Sequence, residues 1–371
     1  MRRHLRPVVR TGVMLAWAVS ADAAAAQTAT VPAELDDKAF WRLVSDLSEP
    51  DGYFEDENYV SNELGYERTM RRLQEAIAPG GVFVGVGPEQ NFAYVAALRP
   101  KMAFVIDIRR QNLVEHLLYK ALFELSPDRV DFLSQLLSRP RPAGLDAAAP
   151  VEALFQAYAG VPADRTLFER TLAAALDVLT VRHRFDLTTA DRAAMRKVLN
   201  AFHDSGPDLM YVFRGTAERH PTYAQMMGAR DEAGRAWSVL GTPEAFDVIR
   251  EMQRRNLIVP VVGDFAGPKA VRAVGAYIRQ HGATINTLYV SNVEPYLFAA
   301  GTWKAFYDSV ATLPLDPAGL IVRTFFGATM RQCSALRPTI RTPVLASIGA
   351  FVTAHRGGEI TTQCDLVRAS R

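Results

Sequence analysis

Gly80-Gly-Val-Phe-Val-Gly-Val-Gly-Pro-Glu-Gln-Asn-Phe92, followed by Ala103-Phe-Val-Ile-Asp107, is the stretch whose reading decides the fold class. Residues 82–86 form a short apolar run with no polar interruption, the pattern of a strand buried on both faces. Gly85 and Gly87 break it, and Pro88 suits the first turn of a helix over 89–98. Residues 103–106 make a second buried strand that ends at Asp107. Strand, turn, helix and strand follow so closely that they predict one parallel βαβ unit, which must be right-handed.

Working outward, residues 33–79 read as a helical lead-in, with helices at 38–47 and 61–77. After Asp107 the period changes, and 112–255 is helical almost throughout. Helices are expected at 112–123, 127–137 (opened by Ser126-Pro127-Asp128), 151–158, 165–181 and 188–202, the last with a capping box at Thr188 and Asp191. Thr242-Pro243-Glu244 opens another that ends near Arg255. Such a stretch is too long for a crossover and reads as an insertion. Alternation then resumes, with strands at 257–262, 285–290 and 320–325 and helices at 267–281 and 303–313. Five strands separated by helices predict an α/β fold: a doubly wound, mostly parallel, Rossmann-like sheet with a large all-helical insertion. The expected organisation is 1–26 leader, 27–79 lead-in, 80–111 with 256–330 as the sheet domain, 112–255 as insertion, and 331–371 as C-terminal extension.

The first 26 residues carry Arg2, Arg3, Arg6 and Arg10, a short apolar run and an Ala-rich end at Ala26. That pattern predicts a signal peptide, by the general or the twin-arginine route, with no stable membrane insertion once it is cleaved. The expected compartment is periplasmic or secreted. Cleavage takes the net charge of +2 to about −1. Near-neutral charge excludes an electrostatic nucleic-acid binder. The two cysteines, Cys333 and Cys364, are expected to pair in an oxidising compartment and clip the C-terminal extension.

In a doubly wound sheet, ligands bind beyond the carboxyl ends of the strands, so the residues there are the candidates. They are Gly85, Gly87, Glu89 and Asn91 after the first strand, Asp107 after the second, Gly263 and Asp264 after the third, and Asn292, Glu294 and Tyr296 after the fourth. Gly85 and Gly87 permit close approach of a ligand to backbone amides at a helix start. Asp107 lies at the spacing from which an acid reaches ribose hydroxyls. Gln90 replaces the third glycine of a dinucleotide fingerprint, and Glu89 puts negative charge where a pyrophosphate would sit. Both count against NAD and ATP. No His pairing, nucleophile elbow or Walker loop is present. No metal site is expected. Glu63, in Ser61-Asn62-Glu63, is read as a solvated helix face.

These blocks carry a resemblance. Gly85-x-Gly87, Asp107, Val262-Gly263-Asp264 and Asn292-x-x-Pro295-Tyr296, in that order after successive strands, are similar to the class I methyltransferases that use S-adenosyl-L-methionine. The blocks around Gly85–Phe92, Phe104–Asn112 and Val261–Phe265 look like an uncharacterised, methyltransferase-like bacterial family over about residues 38–330. The resemblance implies that Gly85 and Gly87 hold the methionine part, Asp107 the ribose and Asp264 the adenine. Asn292 and Tyr296 would lie beside the methyl group, and Glu294 is a candidate general base. Two alternatives stand beside it. One is an exported, non-catalytic ligand- or partner-binding protein that uses the helical insertion as partner surface. The other is a hydrolase that gathers Asp107, Asp264 and Glu294 around a hard cation.

Overall fold

The computed structural model describes residues 30–212, 220–336 and 343–370, so the leader expected at 1–26 lies outside the described residues. The lead-in contributes α1 (Asp37–Leu47) and α2 (Glu67–Ala76). The βαβ unit follows as β1 (Val82–Val86), α3 (Gln90–Leu98) and β2 (Met102–Asp107). Then come α4 (Arg110–Leu125), α5 (Arg129–Leu136), α6 (Val151–Ala159), α7 (Arg165–Asp177), α8 (Thr189–Ser205), α9 (Tyr223–Gly228) and α10 (Pro243–Arg254). The chain returns as β3 (Ile258–Val262), α11 (Ala270–Gln280), β4 (Ile285–Ser291), α12 (Val293–Ala299), α13 (Trp303–Val310) and β5 (Leu315–Arg323). It closes with α14 (Gly327–Gln332), β6 (Val344–Ser347), α15 (Ile348–Arg356) and α16 (Gln363–Ala369).

One sheet has the order β3-β2-β1-β4-β5-β6. Its first five strands pair in parallel and β6 runs antiparallel to β5. Strands β1, β2 and β3 are buried along their whole length, as uninterrupted apolar runs require. Alternation assigns their faces. Phe83, paired in register with Ala103, stacks on Tyr94 of α3, whereas the next residue, Phe104, meets Tyr277 of α11. Helices α3 and α11 therefore cover opposite faces. The chain leaves β1 toward β2 on one side, while β4 lies on the other, so the crevice at the carboxyl ends opens between β1 and β4.

The helices after β2 share the core of the sheet. Helix α4 packs on β2 and β3 and also on α8. An aromatic column of Phe92, Tyr119, Phe123, Phe132 and Phe246 runs through the contact, with Phe123 and Phe132 centroids 4.6 Å apart. Burying each such ring contributes about 1.5–3 kcal/mol.

Several boundaries differ from expectation for local reasons. Asp128 caps α5 by accepting from the amides of Val130 and Asp131, so Ser126 and Pro127 precede the helix. Helix α11 starts later than Gly267 because the Glu49 carboxylate accepts from the amides of Lys269 and Ala270. Helix α2 starts later than residue 61 because Ser61 is drawn onto Glu89 instead of a helical turn. The capping box at Thr188 and Asp191 is formed. Cys333 and Cys364 are joined, and between them lies a sixth strand that the five-strand expectation did not include.

Candidate functional site

The turn after β1 is built around one amide. Asn91 Nδ2 donates to the carbonyls of Val86 at 2.9 Å, Gly87 at 3.0 Å and Pro88 at 2.7 Å. A β-carbon at Gly85 would collide with the Asn91 amide oxygen and the Phe83 ring, so that glycine serves the packing of this latch. Gly87 is different. Its φ is +78°, and a β-carbon there would meet nothing within 4 Å. His116 Nε2 lies 2.9 Å from the Gly87 carbonyl. Burial lowers the imidazole to about 4, so a neutral ring donates to that oxygen. Asn91 and His116 thus hold the loop rigid from below, and Asn91 lies off the cavity wall.

Glu89 also lies off it. Its carboxylate turns to the lead-in and accepts from the Ser61 amide at 3.1 Å. Burial pushes it up to about 7. The carboxyl group expected beside a ligand instead holds residue 61.

At the ends of β2 and β3, Asp107 and Asp264 both line one cavity. Asp107 accepts from the Arg109 amide at 2.9 Å, and burial raises its carboxyl despite the Arg109 guanidinium 3.9 Å away. Asp264 closes its own turn by accepting from the Ala266 amide at 2.9 Å. Gly263 packs against Ala270 of α11, where a β-carbon would clash. It is a helix-docking residue and does not line the cavity.

Beyond β4, Asn292 and Tyr296 line the same cavity. The Tyr296 ring meets Phe54 edge-on at 5.3 Å, and burial pushes its phenol up to about 12. Glu294, one turn position away, faces the opposite way. Its carboxylate lies 3.1 Å from Arg323 Nε and accepts from Tyr307 at 3.1 Å, all three side chains being buried. The geometry therefore does not bring the expected general base to the cavity.

The sequence reading did not single out Phe54 and Asn58 from the lead-in, Tyr211 from the helical insertion or Tyr289 from β4, which also line the wall. The largest surprise is Glu63, expected on a solvated helix face. It precedes α2, is 1% exposed, and reaches the cavity wall. It accepts from Gln90 at 3.3 Å, Tyr289 at 3.1 Å and Thr324 at 3.0 Å, and from Ser291. Burial raises its carboxyl while these four donors pull it down. The hydroxyls of Ser291 and Thr324, at neighbouring strand ends, were the available signal that an acceptor sits between them.

The cavity encloses about 160 Å³ at the carboxyl edge of the sheet. Its described wall holds three carboxylates, Glu63, Asp107 and Asp264, and no Lys, Arg or His. Among the described residues no group of three or more His, Cys, Asp or Glu could hold a metal ion, so Asp107, Asp264 and Glu294 do not form a cation site. Among the same residues no helix is long and apolar enough to cross a membrane.

A family model described as Domain of unknown function (DUF7790) matches residues 58–336, and the chain belongs to that family. The match takes in β1 to β5 and most of the cavity wall, and it stops short of β6. No curated protein matches the chain.

Proposed function

We propose that this DUF7790 member binds an adenosyl-type ligand, S-adenosyl-L-methionine or a relative of it, in the cavity at the carboxyl edge of its sheet. One observation carries the reading: Gly87, Asp107, Asp264, Asn292 and Tyr296, from four different strand ends, line a single cavity. A doubly wound, Rossmann-like reading of the strand order puts that cavity at the expected crevice. The residues suit the ligand. Gly87 leaves open space and an unhindered backbone for the amino-acid part. Asp107 offers acceptor oxygens for ribose hydroxyls, and Asp264 does so for the base. A wall with carboxylates and no described cation suits a sulfonium and an ammonium and disfavours phosphates.

Bound there, the cofactor would supply an activated methyl group. The chain's contribution would be to orient an acceptor between Asn292 and Tyr296 and to keep water out. With Glu294 paired to Arg323, Glu63 is the carboxyl at that end of the cavity. The leader favours a second form of the same reading, binding without transfer, because S-adenosyl-L-methionine is not expected outside the cytoplasm.

Titration calorimetry of the purified full-length chain with S-adenosyl-L-methionine and S-adenosylhomocysteine tests the reading. Binding of either, weakened about tenfold or more in Asp107→Asn, is the expected result. Absence of heat with both ligands would sink it.

A further inference from the structure

The described cavity wall carries three carboxylates and no described cation. Glu63, Asp107 and Asp264 bring carboxylates, and Asn58 Oδ1 is a buried oxygen with no hydrogen-bond partner among the described residues. The hydroxyls of Tyr289 and Ser291, which also line the wall, already donate to Glu63. Four aromatic residues share the lining, Phe54, Tyr211, Tyr289 and Tyr296, and of these Tyr289 bonds Glu63 directly. A buried carboxylate with no cation beside it is costly, and an acceptor without a donor adds to that cost. An organic ammonium relieves both. It is a pure donor, it carries the missing charge, and aromatic faces attract it.

We infer that the Glu63 end of this cavity recognises an organic ammonium group, so the site takes amine-bearing ligands and rejects anions. The site's place in the molecule rests on the adenosyl reading above, but its charge preference does not. The ammonium has two sources of equal chemistry: the amino-acid end of the adenosyl ligand, or a separate amine that shares the cavity.

Calorimetry of the full-length chain with n-butylammonium, n-butanol and butyrate, three probes of similar shape, tests the preference. The ammonium should bind at least about tenfold more tightly than the alcohol, and butyrate more weakly than either. Glu63→Gln, which keeps the side-chain shape, should erase the advantage over the alcohol. Equal binding of ammonium and alcohol, or tighter binding of butyrate, overturns the inference. The probe series on the unaltered chain decides this even where Glu63→Gln does not fold. Competition then locates the group. Butylammonium that competes with S-adenosyl-L-methionine but not with 5′-methylthioadenosine occupies the amino-acid end, whereas binding additive to both marks a separate amine site. Binding of butylammonium by a chain that binds neither S-adenosyl-L-methionine nor S-adenosylhomocysteine would end the adenosyl reading and leave this one standing. The adenosyl ligand bound with no preference among the three probes would do the reverse.

Discussion

Two buried glutamates flank the end of β4 and meet opposite fates. Glu63 arrives from the lead-in, 228 positions before Ser291 in the chain, and its carboxylate reaches the cavity wall among four uncharged donors. Glu294 sits on the turn that leaves β4, yet it points into the protein, where Arg323 and Tyr307 neutralise and bond it. One carboxyl therefore has a full set of hydrogen bonds but no charge partner among the described residues. The other has a charge partner and is closed to any ligand. Closeness in sequence to a strand end does not make a functional group. What matters is whether the charge has already been answered inside the protein.

The contrast is most sharply tested at Arg323. Its guanidinium is fully buried, pairs with Glu294, donates at 2.9 Å to Ser370 at the C-cap of α16, and lies 4.7 Å from the centre of the Phe351 ring. Arg323→Met leaves Glu294 buried without a cation, which should cost about 3–5 kcal/mol in chemical denaturation. Adding Glu294→Leu should recover much of that loss, because replacing a whole buried pair by apolar groups is often neutral. Ligand binding per folded molecule should stay unchanged in the double variant. If the double variant instead loses ligand binding while remaining folded, Glu294 belongs to the site after all and the comparison fails.

The legibility of the molecule divides along the same line. Strands β1, β2 and β3 were readable because burial on both faces leaves uninterrupted apolar runs, and the polar residues after them mark the rim. From that rim, Gly87, Asp107, Asp264, Asn292 and Tyr296 do meet in one cavity. Strand β6 has four residues, Val344-Leu-Ala-Ser347, at the sheet edge, too short for a periodic signal. Side-chain direction was not readable at all. Glu89, Asn91 and Gly263 share the rim's position in sequence, but Ser61, three backbone carbonyls and Ala270 respectively occupy them. Glu63 was hidden for the converse reason. Its partners come from α3, β4 and the residue after β5, and only tertiary contact brings those together.

A third buried carboxyl, Glu89, extends the comparison to pH. Its group is pushed up to about 7 by burial, from an ordinary carboxyl value of 4.5. The folded state then holds a proton that the unfolded chain has lost, so stability falls as pH rises from about 4.5 to 7 and levels off above. His116, lowered to about 4, works in the opposite direction, since acid charges the unfolded imidazole first and stability rises with pH between about 4 and 6.5. The two nearly cancel in the intact protein over their shared window. Glu89→Gln should expose the histidine alone, and its stability relative to the unaltered chain should improve by roughly 2 kcal/mol between pH 5 and pH 7. Parallel denaturation curves for the two proteins across that range would show that Glu89 is ionised in the fold, and hence that a buried carboxylate here needs no cation.

The smallest expected effect separates the two glycines of the β1 turn, which share a motif but not a job. At Gly87 the left-handed φ of +78° burdens any side chain, while open space around it means that nothing else resists one. Gly87→Ala should therefore cost only about 1–2 kcal/mol of backbone strain. Its methyl would project into the region where the ligand's amino-acid part is proposed to lie, so binding should weaken by more than the stability change explains. Gly85→Ala should show the reverse balance, because the added methyl strikes the Asn91 latch and the Phe83 ring in the packed layer beneath. Thermal denaturation and calorimetry on both variants give the two ratios. Were Gly87→Ala to bind as well as the unaltered chain, that glycine would be a turn residue and nothing more, and Glu63 would remain as the cavity's main claim to a ligand.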